Sequence, residues 1–193
     1  MAKKLESTFL NMVLVLLLIT AVSAAALGLV YNITKEPIEK AKAEKLQKAI
    51  AAVLPTFDKI EEKEIMPETG KDPLVFFTAT QGGQLVGTAV KTYTDIGFAG
   101  RFTIMVGFLP DGSINKTAVV DHKETPGLGD KMDISKSDFP LQFEGKNPAS
   151  FKLKVKKDGG DVDAITAATI SSRGFCDALT RAHNTFTKEG GTK

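Results

Sequence analysis

The 193-residue chain has one cysteine (Cys176), two histidines (His122 and His183), two tyrosines and no tryptophan. A single cysteine excludes an internal disulfide and a cysteine-rich metal cluster, and two histidines are too few for an ordinary histidine-based zinc site. Any redox chemistry must therefore come from a bound organic cofactor. An excess of one charge is also missing. The 25 Lys+Arg and 23 Asp+Glu leave a formal net charge of +2, which excludes a strongly basic nucleic-acid binder. At 42% hydrophobic residues the chain is not a disordered tail. Twelve phenylalanines suit a packed core better than a surface on which bases stack. No internal repeat or low-complexity tract stands out.

Charge is absent altogether from Ser7 to Thr34, and the apolar run Phe9 to Tyr31 is long enough to cross ~30 Å of hydrocarbon as a helix. A cleaved signal peptide is the competing reading, since Lys3 and Lys4 form a basic start and Val22-Ser23-Ala24 is a passable cleavage site. A retained anchor is preferred because the run exceeds the ~7–15 residues of a signal core. No cysteine near the start could carry a lipid. Orientation is contested. Lys35, Lys40, Lys42, Lys45 and Lys48 after the span outnumber the lysines before it, which taken literally keeps the rest of the chain in the cytoplasm. A short N-terminal tail ahead of a signal-like segment is instead the usual start of an anchor with an exported domain.

The expected organisation is a short cytoplasmic tail over residues 1–8, a transmembrane helix over 9–31, a stalk or docking helix over 32–54 and one folded domain over 55–193. Pro37 can occupy the first turn of the stalk helix, which carries Leu46, Ala49, Ile50 and Val53 on one face. Gly82-Gly83 separates the strand-like segments Leu74–Thr80 and Gln84–Tyr93. Pro110-Asp111-Gly112 separates Phe102–Leu109 from Ile114–Asp121, so two successive hairpins build an antiparallel sheet. A further strand is expected over Phe151–Val155. A last helix, from about Thr166 to Thr187, bears Ala168, Phe175, Leu179, Ala182 and Phe186 on one stripe. The class is α+β, with covering helices on an antiparallel sheet.

Two loops break this pattern. Glu124-Thr125-Pro126-Gly127-Leu128-Gly129 follows a strand, and its glycines allow sharp turning and close approach to a flat ligand, with Gly127 the candidate for that approach. An ordinary surface turn explains the same residues, and His122 beside it has no sequence partner that would make it an acid or base. The second loop is Asp163-Ala164-Ile165-Thr166-Ala167-Ala168-Thr169-Ile170-Ser171-Ser172. Asp163 or Thr166 can cap the last helix and Thr169 then falls in its first turn, where free N–H groups favour a phosphate. A merely favourable helix start is the alternative.

Taken in this order behind one N-terminal span, the two motifs resemble those of the FMN-binding, G-type subunit of Rnf-type ion-translocating electron-transport complexes. They are also similar to those of the C-type subunit of the sodium-pumping NADH:quinone reductase. The resemblance covers essentially the whole chain. It implies FMN joined as a phosphoester to Thr169, with Thr166, Ala167, Ala168, Ile170 and Ser171 around the attachment and Glu124, Thr125, Gly127, Leu128 and Gly129 against the isoalloxazine. The motif's glycine is replaced here by Ala167, a change that a helical first turn would accept. By the same resemblance a separate flavin transferase makes the link, so no general base is expected beside Thr169. The resemblance also implies a single-pass protein of the bacterial inner membrane whose domain faces the periplasm. It would relay electrons among other membrane subunits of a ferredoxin:NAD⁺ oxidoreductase, with the complex and not this chain as the catalytic unit. Membership of another membrane reductase, and a non-redox anchoring or assembly role in which Thr169 only helps start a helix, are the rival readings.

Overall fold

The computed structural model describes residues 8–189, so the expected tail over 1–8 lies outside the described residues except for Thr8. The chain divides into two compact units between Glu44 and Lys45. The first contains most of helix α1, Phe9–Val53. Its N-terminal part is long and apolar enough to cross a bilayer and keeps its large apolar side chains exposed. The stalk is no separate helix beginning at Pro37, because Pro37 lies inside α1. No glycine occurs between Gly28 and Gly70, so apart from the N–H that proline lacks, nothing interrupts the helical ladder.

The second unit is built on five antiparallel strands in sequential order, β1 Lys59–Ile65, β2 Leu74–Gln81, β3 Gln84–Gly97, β4 Gly100–Phe108 and β5 Ile114–Asp121. Both expected hairpins form, and β3 runs beyond Tyr93 to a tight turn at Gly97 and Gly100. The charged β1, which no apolar alternation announced, pairs with β2 at the sheet edge, where lysine and glutamate discourage pairing with a further chain.

Alternation along the strands gives the sheet two apolar faces. Phe77, Ala79, Ala89 and Met105 receive Ala49, Ile50 and Val53 from the last turns of α1, followed by Leu54. A Cβ on Gly107 would collide with the Val53 carbonyl, so this glycine sets how closely the helix end approaches. The opposite face carries Phe76, Val90, Ile104 and Val106, packed with Phe175, Leu179, Ala182 and Phe186 of helix α2, Thr169–Lys188. The expected stripe on α2 is therefore its buried face.

Two expected elements differ. Phe151–Val155 forms no strand beyond a single parallel bridge from Val155 to Val162. Leu153, Val155 and Val162 enter the core from an irregular loop, which is closed by Lys152 N–H donating to Asp161 Oδ2 at 2.7 Å. Helix α2 begins at Thr169 instead of Thr166, and its N-cap is Ala168 with no side-chain capping bond. Neither Asp163 nor Thr166 caps it, because the backbone spends Ile165–Ala168 in a turn closed by Ala168 N–H to Ile165 C=O at 3.0 Å.

Polar contacts fix α2 over β3. Thr92 Oγ1 donates to the Ala178 carbonyl at 3.1 Å and Thr94 Oγ1 to Asp177 at 2.7 Å. The Arg181 guanidinium, nearly buried, donates to the Thr69 carbonyl at 2.7 Å, to Asp177 at 3.0 Å and to the Tyr93 carbonyl. Gly174 leaves room for Phe102, whose ring would stand 3.0 Å from a Cβ there. The N-terminal end of α2 is thereby held where the β3–β4 turn and the loop after β5 meet.

Candidate functional site

A buried carboxylate organises this meeting point. Glu124, only 4% exposed, accepts the Ala99 N–H from the β3–β4 turn through Oε1 at 3.1 Å, and the Ser171 hydroxyl from α2 through Oε2 at 2.7 Å. Two glycines make space for it. A Cβ on Gly97 would stand 2.7 Å from Glu124 Oε1, and one on Gly129 would collide with Oε2 and stand 2.7 Å from Ser171 Oγ. Nearby, His122 Nδ1 accepts the Glu124 N–H at 3.2 Å.

Two turns of one type flank this carboxylate. In Thr125-Pro126-Gly127-Leu128, Leu128 N–H returns to Thr125 C=O at 3.1 Å and Gly127 has φ 78°. In Ile165-Thr166-Ala167-Ala168 the third residue, Ala167, has φ 60° and is the only described non-glycine residue at positive φ. Positive φ at the third residue alone is the type II pattern, which asks for glycine at that position. Ala167 therefore does not sit in a helical first turn where alanine is comfortable. It stands in the left-handed region, where a Cβ crowds the following carbonyl. Ser172 staples this second turn, its hydroxyl accepting Ile165 N–H at 2.9 Å and donating to Ala168 C=O at 3.0 Å.

Between the turns lies a cavity of about 310 Å³ lined by Phe98, Glu124, Thr125, Leu128, Gly129 and residues 167–171, within the range of small-molecule sites. Of the residues expected from sequence, only Thr166 and Gly127 are outside this lining. Gly127 serves its turn and faces open space, with nothing within 4 Å of a Cβ built there, whereas Gly129 is the glycine packed against Glu124 and Ser171. Phe98 was missed. Its signal was a large apolar residue between two glycines in Ile96-Gly97-Phe98-Ala99-Gly100, and its side chain is 67% exposed at the cavity wall.

The hydroxyls around the helix start are not equivalent. Ser171 and Ser172 are buried and committed to the bonds above, and Thr166 is exposed outside the cavity. Thr169 lines the cavity, partly exposed, and its hydroxyl has no partner among the described residues. It is also the first residue of α2, whose opening N–H groups lack intrahelical acceptors and carry the positive end of the helix dipole. A hydroxyl beside a ready anion site can hold a phosphate ester.

The cavity lies wholly within residues 97–184, which match the family model described as FMN-binding domain. Over 177 residues the chain is 30% identical to the G-type subunit of the ion-translocating oxidoreductase complex of Pseudoalteromonas atlantica, covering 86% of this chain and 82% of that protein. The corresponding subunit of Cereibacter sphaeroides is 32% identical over 180 residues, with 90% and 82% covered. The chain belongs to the family of G-type subunits of ion-translocating oxidoreductase complexes. Within this family its FMN-binding domain holds both flanking turns, the Phe98 tip and all but the last residues of α2, so the expected α+β flavoprotein architecture is present.

Cys176 lies apart from this cavity. It is 3% exposed, and burial pushes its thiol up to about 12, so it packs as a small apolar residue.

Proposed function

We propose that this chain is the membrane-anchored flavoprotein subunit of an Rnf-type ion-translocating oxidoreductase and carries FMN as a phosphoester on Thr169. The observation that carries this reading is the uncommitted Thr169 hydroxyl, in the cavity and at the first turn of α2, where the other hydroxyls of the helix start are bonded elsewhere or lie outside. The cavity fits the cofactor's chemistry, with helix N–H groups for a phosphate and the apolar side chains of Phe98, Leu128 and Ile170 for a flat ring. FMN, when bound, supplies the electron-accepting and electron-donating chemistry. The chain's own residues retain and orient it. Thr169 holds the ester, the start of α2 faces its charge, and Glu124 ties the three segments that form the walls. A separate flavin transferase forms the ester, and the other membrane subunits of the complex exchange electrons with this domain, which does not turn over a substrate alone.

The organisation proposed with this function is a span over 9–31, its helical continuation over 32–54 and an FMN domain over 55–193 facing the periplasm of the bacterial inner membrane. A periplasm-dependent reporter fused after Lys193 reads the orientation, and activity of a strictly cytoplasmic reporter there refutes it. The attachment is tested by expressing Thr169→Ala with the transferase and measuring the intact mass of denatured protein. The variant should lack the FMN increment, whereas Thr166→Ala and Ser171→Ala should retain it. Full FMN mass on Thr169→Ala would place the ester elsewhere.

A further inference from the structure

Glu124 presents a problem that holding FMN does not require. A buried carboxylate normally has a cationic partner, yet among the described residues no lysine, arginine or histidine side chain pairs with its oxygens. Their partners are a backbone N–H and a serine hydroxyl, at 3.1 and 2.7 Å. The three segments it joins could be joined by a neutral amide of the same shape. What a carboxylate adds over an amide is the capacity to carry a negative charge in the cavity wall.

We propose that Glu124 is a positioning residue whose uncompensated charge lowers the reduction potential of the flavin bound in this cavity. The proposal rests on the FMN reading given above. An electron taken up by the flavin, supplied in a titration by dithionite, adds one negative charge at the ring unless a proton accompanies it. Like charges sharing a partly desolvated cavity repel far more strongly than in bulk water. Glu124 therefore opposes electron uptake and makes the reduced flavin a stronger donor. The hydrogen bonds from Ala99 and Ser171 fix the carboxylate where this opposition operates, and Gly97 and Gly129 leave no other side chain between it and its partners.

Charge and shape can be separated. In Glu124→Gln the amide oxygen can still accept Ala99 N–H and the amide nitrogen can donate to Ser171 Oγ, so the clamp remains and only the charge is removed. Full-length E124Q, matured with its flavin and confirmed by intact mass, should melt close to the wild type. Its one-electron reduction equilibrium should be at least tenfold more favourable, a rise in midpoint potential of about 59 mV. An unaltered potential in loaded E124Q overturns the proposal. Folded E124Q that takes up no flavin also overturns it, because the carboxylate would then serve loading. If E124Q does not fold alone, it is made in the Ala167→Gly background, where the left-handed residue of the second turn is relieved. A potential raised above that of Ala167→Gly itself supports the proposal, and an unaltered one overturns it. A wild-type protein without flavin would instead refute the FMN reading itself, through its mass alone.

Discussion

Replacing Ala167 by glycine should stabilise this domain, against the usual direction of such a change. Ala167 has φ 60° at the third position of a turn closed at 3.0 Å, and an L-residue in that region costs about 1–2 kcal/mol. Glycine removes that cost but adds about 0.4–1 kcal/mol of unfolded-chain freedom. The net gain is on the order of 0.5–1 kcal/mol, which raises the melting temperature of a unit this size by about 1–4 °C. Ala168→Gly is the control. Ala168 has φ −135° and is 7% exposed, so glycine there relieves no strain and removes a buried methyl worth about 0.8 kcal/mol. Calorimetry of the full chain in detergent should therefore place Ala167→Gly above the wild type and Ala168→Gly below it. If Ala167→Gly melts at or below the wild type, the turn carries no relievable strain and the argument from its backbone fails.

Gly129→Ala should destabilise the domain by about 1–3 kcal/mol by overpacking and lower its flavin content, since the new Cβ collides with Glu124 Oε2. Gly127→Ala, strained by its φ of 78° but facing open space, should lose only about 0.5–1 kcal/mol, the strain net of the unfolded-chain gain, and keep its flavin. Paired melting curves and flavin absorbance check both, and equal damage would remove the distinction drawn between the two glycines. For Cys176, burial raises the thiol from 9.0 to about 12, so the native state binds that proton more tightly than the unfolded chain. The resulting stability is complete below pH 9 and lost as pH rises toward 12. Native protein at pH 8 should resist iodoacetamide, and Cys176→Ala should weaken the alkaline loss. Rapid alkylation of folded protein would contradict the burial argument.

The sequence displayed most of the frame and, once the resemblance was added, every residue of the cavity lining but Phe98. The run Phe9–Tyr31 and the two hairpins were legible because period and turn chemistry act locally. β1 was not, because Lys-Ile-Glu-Glu-Lys-Glu-Ile reads as a solvated segment and becomes a strand only through its neighbour β2. Leu153 and Val155 misled in the other direction, since their alternation serves burial from a loop. The start of α2 slipped from Thr166 to Thr169 because the intervening turn needs a left-handed residue, and alanine does not advertise one. The two loops are far apart in sequence, and neither local pattern says that Glu124 will reach Ser171. Resemblance joined them. Phe98 stayed hidden because a hairpin tip looks like a connection until the chain folds it beside the other two loops.

The open character of the cavity suits the covalent attachment proposed above. Ligand sites that rely on burial alone cover some 70–90% of a ligand's surface, whereas Phe98, Leu128 and Ile170 around this cavity are themselves 67%, 41% and 46% exposed. On the proposed reading, an ester on Thr169 would retain a cofactor that such walls hold weakly and would leave the exposed side free for exchange with a neighbouring subunit. Retention in that form has little effect on the ring's electronics, because the phosphate is separated from it by several bonds. Control of the potential must then come from groups beside the ring, and Glu124 is the charged group among the residues that line this cavity. On the two proposals above, holding the flavin and setting its potential fall to different residues, Thr169 and Glu124. Ser171 links the two, since it follows Thr169 in the first turn of α2 and donates its hydroxyl to Glu124.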